Sequence, residues 1–209
     1  QNEIGNGYNN NAGVDGGVDI NYNLTPGLKA SMTINTDFAE TEVDDRQINL
    51  TRFPIRFPEK RDFFLEGANI YQFAPRSGVY PYFSRKIGLQ SGNPVPILFG
   101  GRIIGKIGKV EVAAQQVKTR ETSSLNSEDF SVIRLKQNFW KESSVGVLYT
   151  RRHTSKGNEI NPPLPDRNTL GVDLTLNTST FLKNQNLQFQ AFAIFHNPNT
   201  LNEINNSIW

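Results

Sequence analysis

The chain has 209 residues, of which 36% are hydrophobic, and it contains no cysteine. A disulfide framework and a thiolate metal site are therefore excluded. Lys and Arg number 22 against 20 Asp and Glu, which is too balanced to predict a nucleic-acid-binding surface. No run of 18 apolar residues is present, so the sequence predicts no transmembrane helix.

The two ends of the chain favour a fragment. Gln1 is not followed by a basic region and an apolar stretch, so no signal peptide is visible. Residues 202–209 do not have the pattern of a last strand. Either a leader has been removed or the chain is an internal piece. We favour the internal piece and expect a fragment of a longer protein.

The first predicted element is a β-hairpin. Apolar and polar side chains alternate in residues 17–24 and again in residues 28–36. Residues 25–27 between them read Thr-Pro-Gly, which is typical of a tight turn because Pro fixes φ and Gly accepts a positive φ. An acidic connection over residues 37–46 and a strand with weaker alternation over residues 47–56 are predicted to follow.

Residues 57–78 interrupt the alternation by mixing charged and aromatic side chains. We predict a turn followed by an irregular segment that lies inside the lumen or at the mouth of a barrel. Within this segment residues 68–73 are interpreted as a short strand. Residues 79–88, which follow the segment, are interpreted as a further strand.

Regular alternation returns at residue 97 and continues to residue 196. One face of the first strand of this region is predicted to carry Ile97, Phe99, Ile103 and Ile107, although Leu98 and Ile104 interrupt the pattern. The opposite face is predicted to carry Gly100, Arg102, Lys106 and Gly108. Later strands are predicted over residues 109–119, 130–140, 144–153, 168–178 and 186–196.

Strand length and loop length together indicate the fold class. The predicted strands have about 9–11 residues, which matches a tilted membrane crossing. Short turns alternate with longer loops, as in outer-membrane barrels. We therefore predict an all-β fold, a single domain over residues 1–209. Its antiparallel up-and-down meander would form part of a transmembrane β-barrel in the outer membrane.

Five blocks of the chain resemble a known family. They are residues 34–44, 47–53, 57–67 (FPEKRDFFLEG), 83–88 and 132–136, and the similarity extends over about residues 14–196. The chain resembles the C-terminal barrel-type domain of unknown function in bacterial outer-membrane proteins. The resemblance implies a Gram-negative outer membrane, and a parent chain with an N-terminal domain related to family-nine carbohydrate-binding modules. It implies no catalytic residues, and sugar binding does not carry over because that module is absent here.

Two sets of residues are candidates for a role inside the barrel. Buried charges must be paired, so the mixed charges of residues 58–67 predict an ion-pair network that anchors a plug. This candidate plug motif comprises Pro58, Glu59, Lys60, Arg61, Phe63, Phe64, Glu66 and Gly67. Basic residues on polar strand faces would favour anionic solutes, or simply hydrate a lumen. These candidate lumen residues are Arg102, Lys106, Arg134 and Lys136.

The function favoured by the sequence is non-enzymatic: a transport-associated or surface-exposed barrel in the bacterial outer membrane, with lipid as partner. No nucleic acid, cofactor, metal or catalytic residue is expected. One alternative is a secreted soluble β-protein that binds carbohydrate. Another is a hydrolase that uses Glu59 and Glu66 as acid and base. Calcium binding by an acidic cluster and metal binding by the two histidines are less favoured than solvated loops. The cluster comprises Asp37, Glu40, Glu42, Asp44 and Asp45, and the histidines are His153 and His196.

Overall fold

A computed structural model describes residues 16–35, 57–90, 93–122, 126–155, 165–183 and 185–197 of the chain. The predicted acidic connection at residues 37–46, its candidate calcium ligands and the weaker strand at 47–56 lie outside the described residues. The end of the chain after residue 197 also lies outside them.

The described residues form ten strands, a one-turn helix and a short 3₁₀ turn at Ser84–Lys86. In chain order the elements are β1 (Val18–Thr25), β2 (Leu28–Ile34), α1 (Asp62–Leu65), β3 (Leu89–Gln90), β4 (Asn93–Pro94), β5 (Ile97–Ile107), β6 (Val110–Thr119), β7 (Glu128–Phe139), β8 (Ser143–Thr154), β9 (Arg167–Phe181) and β10 (Gln185–His196).

Eight of these strands form one antiparallel sheet in the order β1-β2-β5-β6-β7-β8-β9-β10, and β3 pairs only with β4. The predicted all-β antiparallel meander is confirmed, including the N-terminal hairpin. In the part of the chain that the structure describes, β1 and β10 are the two edges and do not pair with each other. The sheet is therefore open rather than closed into a barrel.

The connections differ between the two ends of the sheet, as predicted. Tight turns join β1 to β2, β5 to β6 and β7 to β8 at one end, where the short connection from β9 to β10 also lies. Gly108 (φ 60°) and Trp140 (φ 50°) take the left-handed conformation in two of them. Long connections between β2 and β5, β6 and β7, and β8 and β9 lie at the other end. We call these the turn end and the loop end.

The longest connection crosses one side of the sheet, and we call residues 57–88 the crossing segment. Its predicted irregularity is confirmed, but the predicted strands at 68–73 and 79–88 are wrong. In residues 68–73, Ile70 N donates to Gly67 O and Gln72 N donates to Asn69 O, so local turns replace the hydrogen-bond ladder of a strand. In the second, Pro81 has no N–H for a ladder, and residues 84–86 form the 3₁₀ turn.

The core lies between the crossing segment and the side of the sheet it covers, which we call the inner face. One cluster joins Tyr71, Phe73 and Ala74 of the segment to Ile104, Ala113, Val132 and Leu148 of the sheet. A second joins Phe64 and Ile87 to Ile97, Val117 and Phe130. The opposite side is the outer face.

The predicted faces of β5 need one correction. Ile97 was expected to share a face with Phe99, but Ile97 is buried and Phe99 is exposed. The pairing of β5 with β6 shifts register between these two residues. Such an irregularity adds a residue to one strand and reverses the alternation that precedes it. Arg102 and Ile104 then lie together on the inner face.

Candidate functional site

Arg61 and Glu59 tie the beginning of the crossing segment to its end. Arg61 Nε and Nη2 donate to the two carboxylate oxygens of Glu59, each at 2.8 Å. The same guanidinium donates to the carbonyl oxygens of Ile87 and Ser84, each at 2.7 Å. Ser84 Oγ donates to Glu59 Oε2 at 2.6 Å. Both charged side chains are less than a tenth exposed, so this is a buried cluster in which the two charges are paired.

The pKa of Glu59 reflects two opposing causes. Burial alone would raise the pKa of this carboxyl group, because a charged form is poorly solvated there. The hydrogen bonds and positive charge of Arg61, with the hydroxyl of Ser84, outweigh burial and hold the pKa below its ordinary value. Glu59 is therefore ionised at neutral pH and acts as a partner for Arg61.

Arg102 fastens the helix of the crossing segment to the inner face. From β5 it donates to the carbonyl oxygens of Phe63 and Glu66, the second at 2.9 Å, and pairs with the Glu66 carboxylate. Its guanidinium lies 4.9 Å from the centre of the Phe63 ring. Lys29 of β2 adds a second cation, with Nζ 2.6 Å from Glu66 Oε1. Segment and sheet are thus held together by charge as well as by apolar packing.

Other plug residues have structural contacts in the same region. The carbonyl oxygen of Pro58 accepts a hydrogen bond from Arg85 at 2.9 Å, and Lys60 is half-buried. Phe64 is buried beneath Arg61, whose guanidinium is 4.1 Å from its ring centre. Gly67 (φ +72°) lies where a Cβ atom would be 2.7 Å from Ile104. Left-handed backbone and close approach both require glycine there.

The two carboxylates of the hydrolase alternative have different partners. Glu59 pairs with Arg61, and Glu66 pairs with Arg102 and Lys29. A general acid needs a raised pKa, whereas the pKa of Glu59 is lowered. This geometry favours an anchoring role for both residues.

Arg134 of β7 reaches over β8 to Asp173 of β9. Its two terminal nitrogens donate to the two carboxylate oxygens at 2.5 and 3.0 Å, and both side chains are buried. Gly146 of β8 lies below the guanidinium, where a Cβ atom would be 2.6 Å from Nη1. Gly146 in β8 therefore leaves the space in which β7 and β9 share an ion pair.

The remaining candidate lumen residues lie nearer the turn end. Lys136 Nζ is 2.8 Å from Glu111 Oε2, and Asn138 donates to the other oxygen of that carboxylate at 2.6 Å. Lys106 is exposed. Of the four predicted basic residues, Arg102, Arg134 and Lys136 are thus ion-paired. Sequence reasoning missed Asp173 and Glu111 as their partners, because each lies on another strand and the match depends on register.

Two cavities adjoin the crossing segment. The first, about 440 Å³, is lined by aromatic side chains of the segment itself, including Phe64, Tyr71, Tyr80 and Phe83. The second, about 490 Å³, opens at the turn end, and we call it the basic cavity. Its charged lining comprises Lys106, Lys109, Arg134, Lys136 and Lys141 with Glu142 and Asp173.

The outer face is apolar and exposed. Register places Ile133, Tyr149, Leu170 and Phe195 in one row across β7 to β10, and Leu135, Val147, Val172 and Ala193 in the next. Val147 is 40% exposed and Phe195 63% exposed. Towards the loop end the next row is polar and comprises Ser131, Arg151 and Asn168. The sheet therefore buries a mixed face, which carries apolar clusters as well as charged side chains, and exposes an apolar face.

The histidines have ordinary polar contacts. His153 Nδ1 is 2.6 Å from Asp166, and His196 Nδ1 is 2.9 Å from Thr169 Oγ1. Among the described residues no three His, Asp or Glu side chains are close enough together to hold a metal ion. Within those same residues, no helix has the length and apolar character needed to cross a membrane.

Comparison with known proteins gives one match. A family model described as a domain of unknown function (DUF5916) matches residues 2–97, which include β1, β2 and the whole crossing segment. The sequence similarity had been expected over about residues 14–196, and the match ends where β5 begins. No curated protein and no solved structure is significantly similar to the chain. The match covers less than half of the chain, and its description names no function.

Proposed function

We propose that the chain forms part of the wall of an outer-membrane β-barrel and has no enzymatic activity. The outer face would contact lipid, and the crossing segment would fill part of the interior. The observation that carries this proposal is the different character of the two faces. The inner face carries the buried Arg134–Asp173 ion pair and the buried guanidinium of Arg102 beside its apolar clusters, while rows of exposed aliphatic and aromatic side chains occupy the outer face.

Such an outer face is unfavourable in water. Exposed apolar surface costs about 25 cal/mol per Å², and soluble monomers rarely expose contiguous apolar patches larger than a few hundred Å². Hydrocarbon removes that cost. It offers no hydrogen-bond partner to the backbone, but the antiparallel ladders from β5 to β10 already satisfy the interior strands.

The dimensions of the apolar face support the same proposal. From Leu187 to Phe195, alternate residues of β10 are apolar over about 27 Å of strand, at about 3.4 Å per residue. A tilt of about 40° gives a band roughly 21 Å tall, near the roughly 25 Å of outer-membrane barrels. At the turn end Phe139 and Trp140 are in edge-to-face contact, and Trp140 is 81% exposed. An interfacial aromatic girdle would occupy this position.

The wider role follows from this placement. A bacterial outer-membrane wall with a plugged interior suits a transport-associated or surface-exposed scaffold. Outer-membrane lipid would be its main partner. An N-terminal carbohydrate-binding domain in the parent chain would then handle ligands outside the wall.

Val147→Arg tests the lipid contact. Val147 lies mid-strand on the outer face, between Leu135 and Val172. In water, an arginine at an exposed position should change the free energy of unfolding by less than about 0.5 kcal/mol. In lipid it should cost about 2–4 kcal/mol. We expect the larger loss when urea unfolding is measured in phosphatidylcholine vesicles.

Gln137→Arg is the matched control. Gln137 is exposed on the outer face of β7, close to the turn end, where arginine should cost about 0–1 kcal/mol. Equal small effects of the two substitutions would contradict the proposal. A monodisperse folded monomer in detergent-free buffer would do the same.

A further inference from the structure

We propose that the basic cavity binds a small hydrophilic polyanion whose charge is carried by phosphate groups, such as an oligophosphate or a phosphate ester. The cavity is built by the turn end and the inner face, and it exists in the folded chain whether or not the outer face contacts lipid. The inference therefore goes beyond the proposed function and can fail or succeed separately from it.

The shape of the basic cavity suits a small molecule. Its volume of about 490 Å³ lies within the range of about 300–1,000 Å³ for ligand sites. The β5–β6 turn supplies Lys109, the β7–β8 turn supplies Lys141, and the crossing segment closes one side with Asn69 and Gln72. Sheet and segment together thus form a concave site, instead of a flat charged surface.

The charges of the cavity are unevenly compensated. Asp173 neutralises Arg134, and Glu111 neutralises Lys136. For Lys109 and Lys141 the described residues offer no ion pair, Lys106 lies opposite Glu111 across β5 and β6, and Glu142 is the one other carboxylate in the lining. The five cations of the lining still outnumber Asp173, Glu111 and Glu142, so an excess of positive charge surrounds the cavity and is self-repulsive. A ligand with several negative charges would remove that repulsion.

Arg134 adds a buried cation to the lining. Its side chain is 1% exposed, and its Nε is a buried donor without a partner among the described residues. An unsatisfied buried donor costs free energy. The lining also carries neutral polar groups, namely the amide of Asn138 and the hydroxyls of Ser143 and Ser144. These groups favour a hydrophilic ligand with many acceptor oxygens.

The remaining cations of the cavity are suited to phosphate. The two-pronged fork of arginine recognises carboxylate and phosphate alike, but both terminal nitrogens of Arg134 are taken by Asp173. The groups that remain are lysine ammoniums, which bind phosphate as point charges. A phosphate monoester group carries about −1.5 to −2 charge at pH 7, up to twice the charge of a carboxylate, so each such group attracts a lysine ammonium more strongly.

The test is calorimetric titration of the folded chain with sodium tripolyphosphate at low ionic strength. We expect saturable binding to the unsubstituted chain. Lys106→Gln, Lys109→Gln and Lys141→Gln combined should weaken binding about tenfold. Citrate, a carboxylate polyanion of similar size, should bind more weakly than tripolyphosphate. Absence of saturable tripolyphosphate binding, or equal affinity for citrate, would overturn the proposal.

A charge-matched variant separates the cavity from net charge. Lys86→Gln, Lys118→Gln and Lys183→Gln combined remove three exposed lysines that do not line the cavity. This control should change affinity by less than about twofold. Equal weakening in both triple variants would show unspecific attraction and overturn the site.

The same phosphate chemistry has two sources, which a second titration distinguishes. Vesicles that contain phosphatidic acid present lipid phosphate, and phosphatidylcholine vesicles provide the neutral comparison. Heat of binding only with soluble tripolyphosphate assigns the site to a solute. Competition between phosphatidic acid and tripolyphosphate assigns it to a headgroup, again through phosphate.

Discussion

Glu59 is a single residue on which the closure of the crossing segment depends. Its carboxylate accepts hydrogen bonds from Arg61 and from Ser84, which lies 25 residues further along the chain. Because these partners lower its pKa, the folded state binds the proton less tightly than the unfolded state. The contribution to stability is present above the unfolded value of about 4.5 and is lost as pH falls through the lower folded value.

Glu59→Gln should therefore remove a pH-dependent part of the stability. At pH 7 we expect the variant to lose about 3 kcal/mol of unfolding free energy, since one partner of a buried pair is removed. The loss should shrink as pH falls below about 4. Urea unfolding at several pH values measures both quantities. The exposed Glu121→Gln is the control, and a loss at pH 7 that persists undiminished at low pH would contradict this account.

Part of this site was predictable at the residue scale. The two signs of charge in residues 58–67 correctly indicated an ion-pair network. The partners Ser84 and Ile87 could not be predicted, because they depend on how the crossing segment folds back. Likewise, Arg134 was predicted to lie on a polar strand face, but its pairing with Asp173 needs the registers of three strands.

At the scale of elements, glycines on the inner face determine how the crossing segment docks. A Cβ atom at Gly171 of β9 would lie 2.6 Å from the Phe73 ring. A Cβ atom at Gly100 of β5 would lie 3.1 Å from the Phe63 ring. Both rings belong to the segment, so the absent side chains provide the space that it fills.

Gly171→Leu should push the crossing segment off the sheet. Overpacking of this kind costs about 1–3 kcal/mol, although leucine is a better strand residue than glycine. The measurements are the urea unfolding free energy and the protease sensitivity of residues 57–88. Val172→Leu, at the neighbouring position on the outer face, should have little effect on either. Equal protease resistance of the two variants would contradict docking through Gly171.

Strand prediction succeeded where apolar and polar side chains alternate regularly along the strand. From β6 to β10 a period of two was enough to locate every strand. It failed in residues 79–88, where aromatic side chains pack on the inner face without joining a ladder. It also failed at Ile97, where a local register shift reverses the faces. Both failures arise from tertiary contacts that periodicity does not contain.

At the scale of the whole molecule, the sheet has a polar boundary at the loop end and an aromatic pair at the turn end. The first comprises Ser131, Arg151 and Asn168, and the second Phe139 and Trp140. Alternation in the sequence predicted which side chains share a face. It could not predict whether the sheet closes, because closure depends on how the two edge strands find partners.

The position of Trp140 gives a test of depth in lipid. In a Trp209→Phe variant, Trp140 is the remaining tryptophan. We expect its fluorescence to be quenched more strongly by lipids brominated near the headgroup than by lipids brominated near the chain ends. Absence of quenching by either lipid would place the turn end in water, away from any membrane.

The bridge from Arg134 over Gly146 to Asp173 also bears on folding accuracy. Side chains alternate between the faces of a sheet with a period of two residues. A register shift of two residues therefore leaves every apolar side chain on its correct face, and hydrophobic burial alone does not prevent the shift. The ion pair does not tolerate this slip, since it would leave the buried guanidinium of Arg134 without its carboxylate partner or place another side chain beneath the guanidinium. One glycine and two opposite charges thus select a single alignment of three neighbouring strands.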